Sequence, residues 1–273
     1  MQWLMCPVCR ENLSLNERTW RCQQGHSFDL AKQGYVNLHV VQHKHSKQPG
    51  DTPEAVDARR AFLSAGFYAP LRTAVETILQ QYQPKTLLDI GCGEGYYTQA
   101  MQAHVQDCIG VDIAKNAVQR AAKANPNVTW VVGTGAVLPV LDGSMEICTS
   151  LFSPIPQQEI LRVLKEDGLC LVVTPAPQHL YAMREALFDQ VNPHEPEKFV
   201  NQLSDAFELI ESQVVDAPLL LKQQDIQNLL AMTPYAYKAK PEKRQALETL
   251  AELHVTASFQ IYLFKKKVEI TAA

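Results

Sequence analysis

From about residue 61 onward, short apolar runs alternate with stretches of helical periodicity. Thr86-Leu-Leu-Asp-Ile90 is one such run, and it breaks into Gly91-Cys92-Gly93-Glu94-Gly95. The pattern then predicts a helix from about Tyr96 to Ala103, a second strand at Cys108–Asp112 and an Ala-rich helix over Lys115–Ala124. Val128–Val132, Met145–Phe152 and Gly168–Thr174 continue the series as further strands. Strands alternating with helices of roughly ten to fifteen residues build a doubly wound, mainly parallel α/β sheet. Ligands of such sheets bind beyond the carboxyl ends of the strands, which is where the glycine-rich turn lies.

The first forty residues follow a different pattern. Cys6-Pro7-Val8-Cys9, twelve residues, then Cys22-Gln-Gln-Gly-His26 reads C-x2-C-x12-C-x3-H. Zinc takes four such ligands at tetrahedral corners, and a two-residue gap turns two thiolates toward one ion. The segment from Arg10 to Arg21 is long enough for a short hairpin ending near Trp20. This predicts a zinc ribbon of about 25–35 residues, too small to fold without its metal. A redox cysteine pair would need a strand-to-helix setting that the sequence does not supply here. Three thiolates and one imidazole leave no open coordination position, so the Zn2+ is expected to be structural. Cys92, Cys108, Cys148 and Cys170 lie mostly in apolar runs and read as small core residues.

Composition adds bounds. The chain has 273 residues, 46% of them apolar and 20% charged, with a net charge of −4. No apolar run reaches the roughly 18 residues that span a bilayer, and the N-terminus lacks the pattern of a secretory signal, so a reducing cytoplasm is expected. Charge is uneven: residues 1–72 carry Arg10, Arg18, Arg21, Lys32, Lys44, Lys47, Arg59, Arg60 and Arg72 against Glu11, Glu17, Asp29, Asp51, Glu54 and Asp57. His39, His43 and His45 lie in the same stretch. Such a patch suits RNA docking through Lys44, Lys47, Arg59 and Arg60; a solvated linker is the alternative. The organisation read from sequence is a zinc-binding module over 1–38, a basic linker over 39–60 and a catalytic domain over 61–273.

The glycine turn is not a dinucleotide fingerprint, because Tyr96 stands where the third glycine of G-x-G-x-x-G belongs. Asp89 lies two residues before Gly91, and a carboxylate there suits a cationic amino-acid end better than a phosphate. Asp112 ends the second strand, where a carboxylate can accept from two ribose hydroxyls. Together they point to S-adenosylmethionine and a class I methyltransferase, a Rossmann-like doubly wound sheet. Leu138-Pro139-Val140-Leu141-Asp142-Gly143-Ser144 is similar to the segment of such enzymes that follows the adenine pocket, which points at Gly133–Leu138; a plain loop into the fourth strand fits equally. Phe152-Ser153-Pro154-Ile155-Pro156 should face the transferring methyl, and it is not the Asn/Asp-Pro-Pro-aromatic motif of amino-group DNA methylases.

Longer segments resemble one family. The Cys/His module, Phe28-Asp29-Leu30-Ala31-Lys32-Gln33-Gly34-Tyr35-Val36-Asn37-Leu38, Gln42-His43-Lys44, Pro49-Gly50-Asp51, Ala58-Arg59-Arg60-Ala61-Phe62-Leu63, Tyr68, Asp89–Thr98 and Met232-Thr233-Pro234-Tyr235 are together similar to bacterial 23S rRNA (guanine-N1)-methyltransferases, closest to the Gram-negative type. The resemblance implies zinc on Cys6, Cys9, Cys22 and His26, and a guanine target in a hairpin loop of 23S rRNA domain II. It also implies cofactor contacts at Tyr68, at Asp89, Gly91, Cys92, Gly93, Glu94, Gly95 and Tyr96 of the turn, and at Gln178 and His179, beside the Asp112 and Leu138 already read as cofactor contacts, and a homodimer framing an RNA cleft. Lys165-Glu166-Asp167-Gly168 departs from the family's usual Lys-Pro-Gly-Gly. No general base stands out; His179 is the candidate, with a structural or substrate-contact role as the alternative. Two rival readings are a small-molecule methyltransferase and an RNA-binding protein with an inactive methyltransferase domain.

Overall fold

The computed structural model describes residues 3–40 and 52–267. Three short strands, β1 (Ser14–Asn16), β2 (Thr19–Arg21) and β3 (Ser27–Asp29), form an antiparallel sheet in that order. The expected hairpin is its first pair, turned at Glu17, and Trp20 is buried at its centre. The fourth strand, β4 (Tyr35–Asn37), leaves this small sheet and joins the large one.

Helix α1 (Pro53–Ser64) follows, then α2 (Ala69–Tyr82), β5 (Thr86–Ile90), α3 (Tyr96–Gln102), β6 (Asp107–Asp112), α4 (Lys115–Ala124) and β7 (Thr129–Val132). The chain continues through β8 (Met145–Leu151), α5 (Gln157–Val163), β9 (Leu164–Pro175), α6 (Tyr181–Leu187) and α7 (Glu197–Leu203). It closes with β10 (Phe207–Lys222), α8 (Gln223–Ala231), α9 (Tyr235–Lys238), α10 (Pro241–Glu248) and β11 (Glu252–Lys266). The sheet order is β10-β11-β9-β8-β5-β6-β7-β4. From β9 to β4 all neighbours are parallel, whereas β11 and β10 run antiparallel. The two faces are legible in consecutive residues: Leu87 belongs to one core cluster and Leu88 to the other, as period-two alternation requires.

Two sequence-derived boundaries need correction. The 60/61 boundary falls inside α1, so Arg59 and Arg60 are helical and not linker residues. The Thr52 hydroxyl accepts from the Ala55 amide at 3.3 Å, and Pro53 pre-sets the first turn. Val56 and Phe62 then bury the apolar side of the helix, Val56 against Ala114 and Ala117 at the start of α4. Lys44 and Lys47, with His43 and His45, lie outside the described residues.

The 1–38 segment is likewise not separate from the sheet. Tyr35–Asn37 pair in parallel with Trp130–Val132, and Leu4 bridges Val140. The Met5 amide donates to the Pro139 carbonyl at 3.0 Å, and the Leu141 amide to the Trp3 carbonyl at 2.9 Å. Leu4, Cys6, Leu13, Trp20 and Cys22 share one core cluster with Leu88, Ile109, Val111 and Val131. Arg162 of α5 fastens this seam. It donates to the carbonyls of Leu138 and Val140 at 2.8 and 2.7 Å and pairs with Glu159 and Asp142.

Candidate functional site

The four sequence-predicted metal ligands converge. The thiols of Cys6, Cys9 and Cys22 and the Nδ1 of His26 all lie within 4.8 Å of one another. Cys9 and Cys22 sulfurs are 3.6 Å apart, and His26 Nδ1 is 3.3 Å from Cys22 Sγ and 3.7 Å from Cys6 Sγ. Zinc–sulfur bonds of about 2.3 Å and zinc–nitrogen bonds of about 2.0–2.1 Å at tetrahedral angles put the ligand atoms roughly 3.5–3.8 Å apart. The donor set and its spacing therefore fit a closed zinc site.

The cofactor side is built on the turn after β5. Gly91 has φ 74°, and a Cβ there would lie 2.4 Å from Ser153 Cβ. Gly95 has φ 83° and lies against the Trp130 indole, 2.5 Å from where a Cβ would stand. Only glycine meets both demands at either position. Nothing lies within 4 Å of a Cβ at Gly93, so that residue borders open space. Asp112 braces the turn by accepting from the Gly93 amide at 2.9 Å and the Ala114 amide at 2.7 Å. A carboxylate at the end of the second strand of such a sheet is placed to accept from ribose hydroxyls.

Asp89 is buried, and its carboxylate accepts from Thr98 at 2.5 Å and Thr149 at 2.8 Å. Burial raises its pKa to about 6 despite those two bonds. Glu94, half-buried in the turn, is raised to about 7 by burial against the pull of Arg60, Arg59 and Arg120. The Tyr97 hydroxyl is buried and has no hydrogen-bond partner among the described residues, in the neighbourhood of Tyr68, Tyr96 and Arg59. An orphaned hydroxyl costs about 1–3 kcal/mol, and a polar ligand beside the glycine turn would satisfy it. The open face at Gly93, the Asp112 carboxylate that braces it at the end of β6 and this buried hydroxyl together fit S-adenosylmethionine.

The other predicted contacts divide. Tyr68 precedes α2, is buried, and packs edge-on against Phe259 at 4.7 Å. Cys92 stays a neutral thiol, its pKa pushed up by burial. Tyr96 carries the Arg72 guanidinium 5.6 Å from its ring centre. Gln178 is exposed after β9. Leu138 does not join them: its side chain is fully buried in the zinc-module cluster. Its amide donates to Glu159 at 2.6 Å and its carbonyl accepts from Arg162, so its backbone groups are already engaged.

His179 is buried, with Nδ1 2.8 Å from the Ser258 carbonyl. A carbonyl only accepts, so Nδ1 carries the proton and Nε2 is left as an acceptor. Burial lowers its pKa to about 3, and the ring stays neutral near pH 7. His179 packs on Phe259 at 5.1 Å, and His194 lies 6.2 Å away with Tyr235 Oη 3.3 Å from its Nε2. Arg184, itself buried, donates to the carbonyls of His179 and Asn192 and so ties the two histidine-bearing segments together. Phe259, His194 and Arg184 were not singled out in the sequence, because they sit far from the glycine turn in ordinary local patterns.

Of the basic residues, Arg59 is half-buried and donates to the Met232 carbonyl at 3.5 Å, which ties α1 to the end of α8. Arg60 is exposed. Arg120 of α4 pairs with Asp57 of α1.

Comparison with known proteins decides the family. The family profile described as "RlmA, N-terminal", a zinc ribbon, matches residues 4–47, and one described as "Methyltransferase domain" matches residues 87–168. The 23S rRNA (guanine(748)-N(1))-methyltransferase of Streptomyces fradiae is 33% identical over 251 residues, covering 89% of both chains. The chain belongs to the 23S rRNA (guanine-N1)-methyltransferase family. A Micromonospora griseorubida protein provisionally named for the same activity is 32% identical over 288 residues, covering 96% of this chain and 97% of that one. Among solved structures, an enzyme described for converting a disulfide bond into a thioacetal group in echinomycin biosynthesis superposes with TM-score 0.51 at 10% identity. It covers 71% of this chain and 82% of its own, a likeness of fold alone. The family's two parts, zinc ribbon and methyltransferase domain, are the two parts fused here through β4 and the Leu4–Val140 bridge.

Proposed function

We propose that this protein transfers a methyl group from S-adenosylmethionine to N1 of a guanine in 23S rRNA, in a hairpin loop of domain II. What carries the reading is a relationship that runs through the zinc ribbon and the catalytic domain alike, at 33% identity over 89% of the chain. A small-molecule methyltransferase has no use for the first of these, and an inactive domain has no use for an intact acid-glycine turn. A zinc ion would be held by Cys6, Cys9, Cys22 and His26 as a structural centre. The cofactor would be held by the Asp89–Tyr96 turn, Asp112, Tyr68, Tyr97 and the Gln178–His179 segment. When bound, it supplies an electrophilic sulfonium methyl.

The chain's own residues have three tasks. They must hold the base in line with that methyl, exclude water, and help the N1 proton leave, since protonated guanine N1 is a poor nucleophile. His179, held neutral with Nε2 as acceptor and clamped through its carbonyl by Arg184, is suited to take up that hydrogen bond. A loop guanine leaves its stack at lower cost than a paired one. Arg60, with Lys44 and Lys47, would engage phosphates, and the enzyme would act in the cytoplasm as a homodimer, which sedimentation would test.

Nucleoside mass spectrometry of 23S rRNA from cells with and without the gene tests the proposal. N1-methylguanosine should vanish in the deletion strain and return on complementation. An unchanged N1-methylguanosine content would overturn it.

A further inference from the structure

Phe152 immediately follows β8, beyond the carboxyl end of a central strand, and two things about it are unfavourable in isolation. Its backbone is left-handed, with φ 57°, a conformation that a side chain of this size rarely adopts. The residue is 44% exposed, although Phe259 and a large core lie beside it. Non-glycine residues held in such conformations persist only where the surroundings over-determine them, and they concentrate at ligand sites.

The surroundings do over-determine it. The Phe152 amide donates to the Val173 carbonyl at 3.0 Å. Ser153 is locked on the other side: its hydroxyl lies 2.6 Å from the Ile90 carbonyl and 2.8 Å from the Ser150 hydroxyl. Its Cβ fills the space that a side chain at Gly91 would need. The turn that presents Phe152 is thus braced directly against the cofactor turn. The ring meets Phe259 at an interplanar angle of 62° and a centroid separation of 5.7 Å. Phe259 in turn touches Tyr68 and His179. The phenyl ring is therefore linked through Phe259 to Tyr68 and His179, adjoins in sequence the Ser153 that braces the cofactor turn, and is partly open to solvent.

From this geometry we infer that Phe152 is the stacking platform for the extruded guanine. The inference rests on the rRNA reading above and names the residue that holds the base during transfer. Aromatic faces hold single-stranded RNA bases in this way. The strain fits as well, since a left-handed backbone at a bulky residue persists where it serves a ligand site.

Four substitutions test it, each assayed with unmethylated 23S rRNA from the deletion strain and labelled S-adenosylmethionine. Phe152→Tyr and Phe152→Trp should stay within a few-fold of wild type in kcat/KM for RNA. Phe152→Leu, which keeps apolar contact with Phe259 but has no π-face, should lose about 5–150-fold, the range that base–aromatic stacking commands. Phe152→Gly should lose at least as much while its Tm holds or rises, because glycine accepts the left-handed backbone. All four should bind S-adenosylmethionine as the wild type does. A Leu variant as active as wild type, or a loss that tracks falling Tm or falling cofactor affinity, overturns the inference. Wild-type enzyme unable to methylate the rRNA would overturn the proposed function and this inference with it; an active wild type indifferent to position 152 would overturn this inference alone.

Discussion

Two aspartates show how far a single residue can be read. Asp89 and Asp112 were both legible as acids at strand ends, yet only the structure separates them. Asp112 holds the turn through the amides of Gly93 and Ala114, at the edge of the cofactor turn. Removing it should weaken S-adenosylmethionine binding by about 1.5–3 kcal/mol, as expected for hydrogen bonds to a charged group, and calorimetry of Asp112→Ala would show it. Asp89 is instead a buried carboxylate whose partners, Thr98 and Thr149, come from α3 and β8. No local pattern announces such a pairing across 60 residues. Its folded pKa, about 6, stands above the ordinary 3.8, so protonation favours the folded state. This contribution is complete below about pH 4 and disappears as pH rises through about 6. It amounts to about 3 kcal/mol, at about 1.36 kcal/mol for each tenfold gain in proton affinity on folding. Urea titrations should therefore show wild type gaining stability relative to Asp89→Asn as pH falls from about 7 to about 4. A difference that stays flat with pH would refute the assignment.

Elements with strong periodicity were readable almost to the residue: the strand at Thr86–Ile90 and the helix at Lys115–Ala124 occur with those bounds. Their signal is local, because glycine turns and apolar runs bracket them. α1 was hidden by its charges, Glu54, Asp57, Arg59 and Arg60, which read as a linker until Val56 and Phe62 are seen buried. The antiparallel pair β10 and β11 also escaped notice. β10 is an edge strand with much of its length exposed, and Pro218 in its middle argues against a strand unless the edge needs no amide there. Among the loops, the turn after β5 is the least tolerant. Gly91→Ala adds a methyl 2.4 Å from Ser153 Cβ at φ 74°. It should cost about 1–3 kcal/mol of stability and displace the turns bearing both Gly93 and Phe152. Thermal melts and cofactor titration together would measure it; a variant with normal Tm and normal affinity would contradict the packing.

At the scale of the whole molecule, the ribbon is continuous with the enzyme. Sequence spacing disclosed the ligands but not the joint, since the seam lies between residues far apart in the chain, Leu4 with Val140 and Tyr35 with Trp130. Purified protein should carry one zinc per chain, absent from a Cys6→Ser/Cys22→Ser double variant. Because the core is shared, chelation should lower one cooperative transition, not melt the ribbon separately. Structural zinc contributes on the order of 10 kcal/mol in zinc-finger peptides. Each kcal/mol is about 2–4 °C for a chain this size, so a fall of at least about 10 °C is expected in calorimetry. RNA docking belongs to this scale too. Replacing Lys44, Lys47 and Arg60 by Ala should flatten the dependence of log affinity on log salt by about 0.7–0.9 for each phosphate no longer neutralised, leaving cofactor affinity intact. Arg59→Ala should instead loosen α1 from α8, since its guanidinium is held by the Met232 carbonyl.

β4 has one more consequence. It is the outermost strand on its side of the large sheet, and it covers the backbone of Trp130–Val132. Loss of zinc would loosen the segment leading to β4, and the β7 edge at Trp130, Val131 and Val132 would then lie uncovered. Uncovered apolar edges recruit further strands from other molecules. Zinc-depleted protein should accordingly self-associate more readily than the metal-loaded form, which light scattering before and after chelation would show.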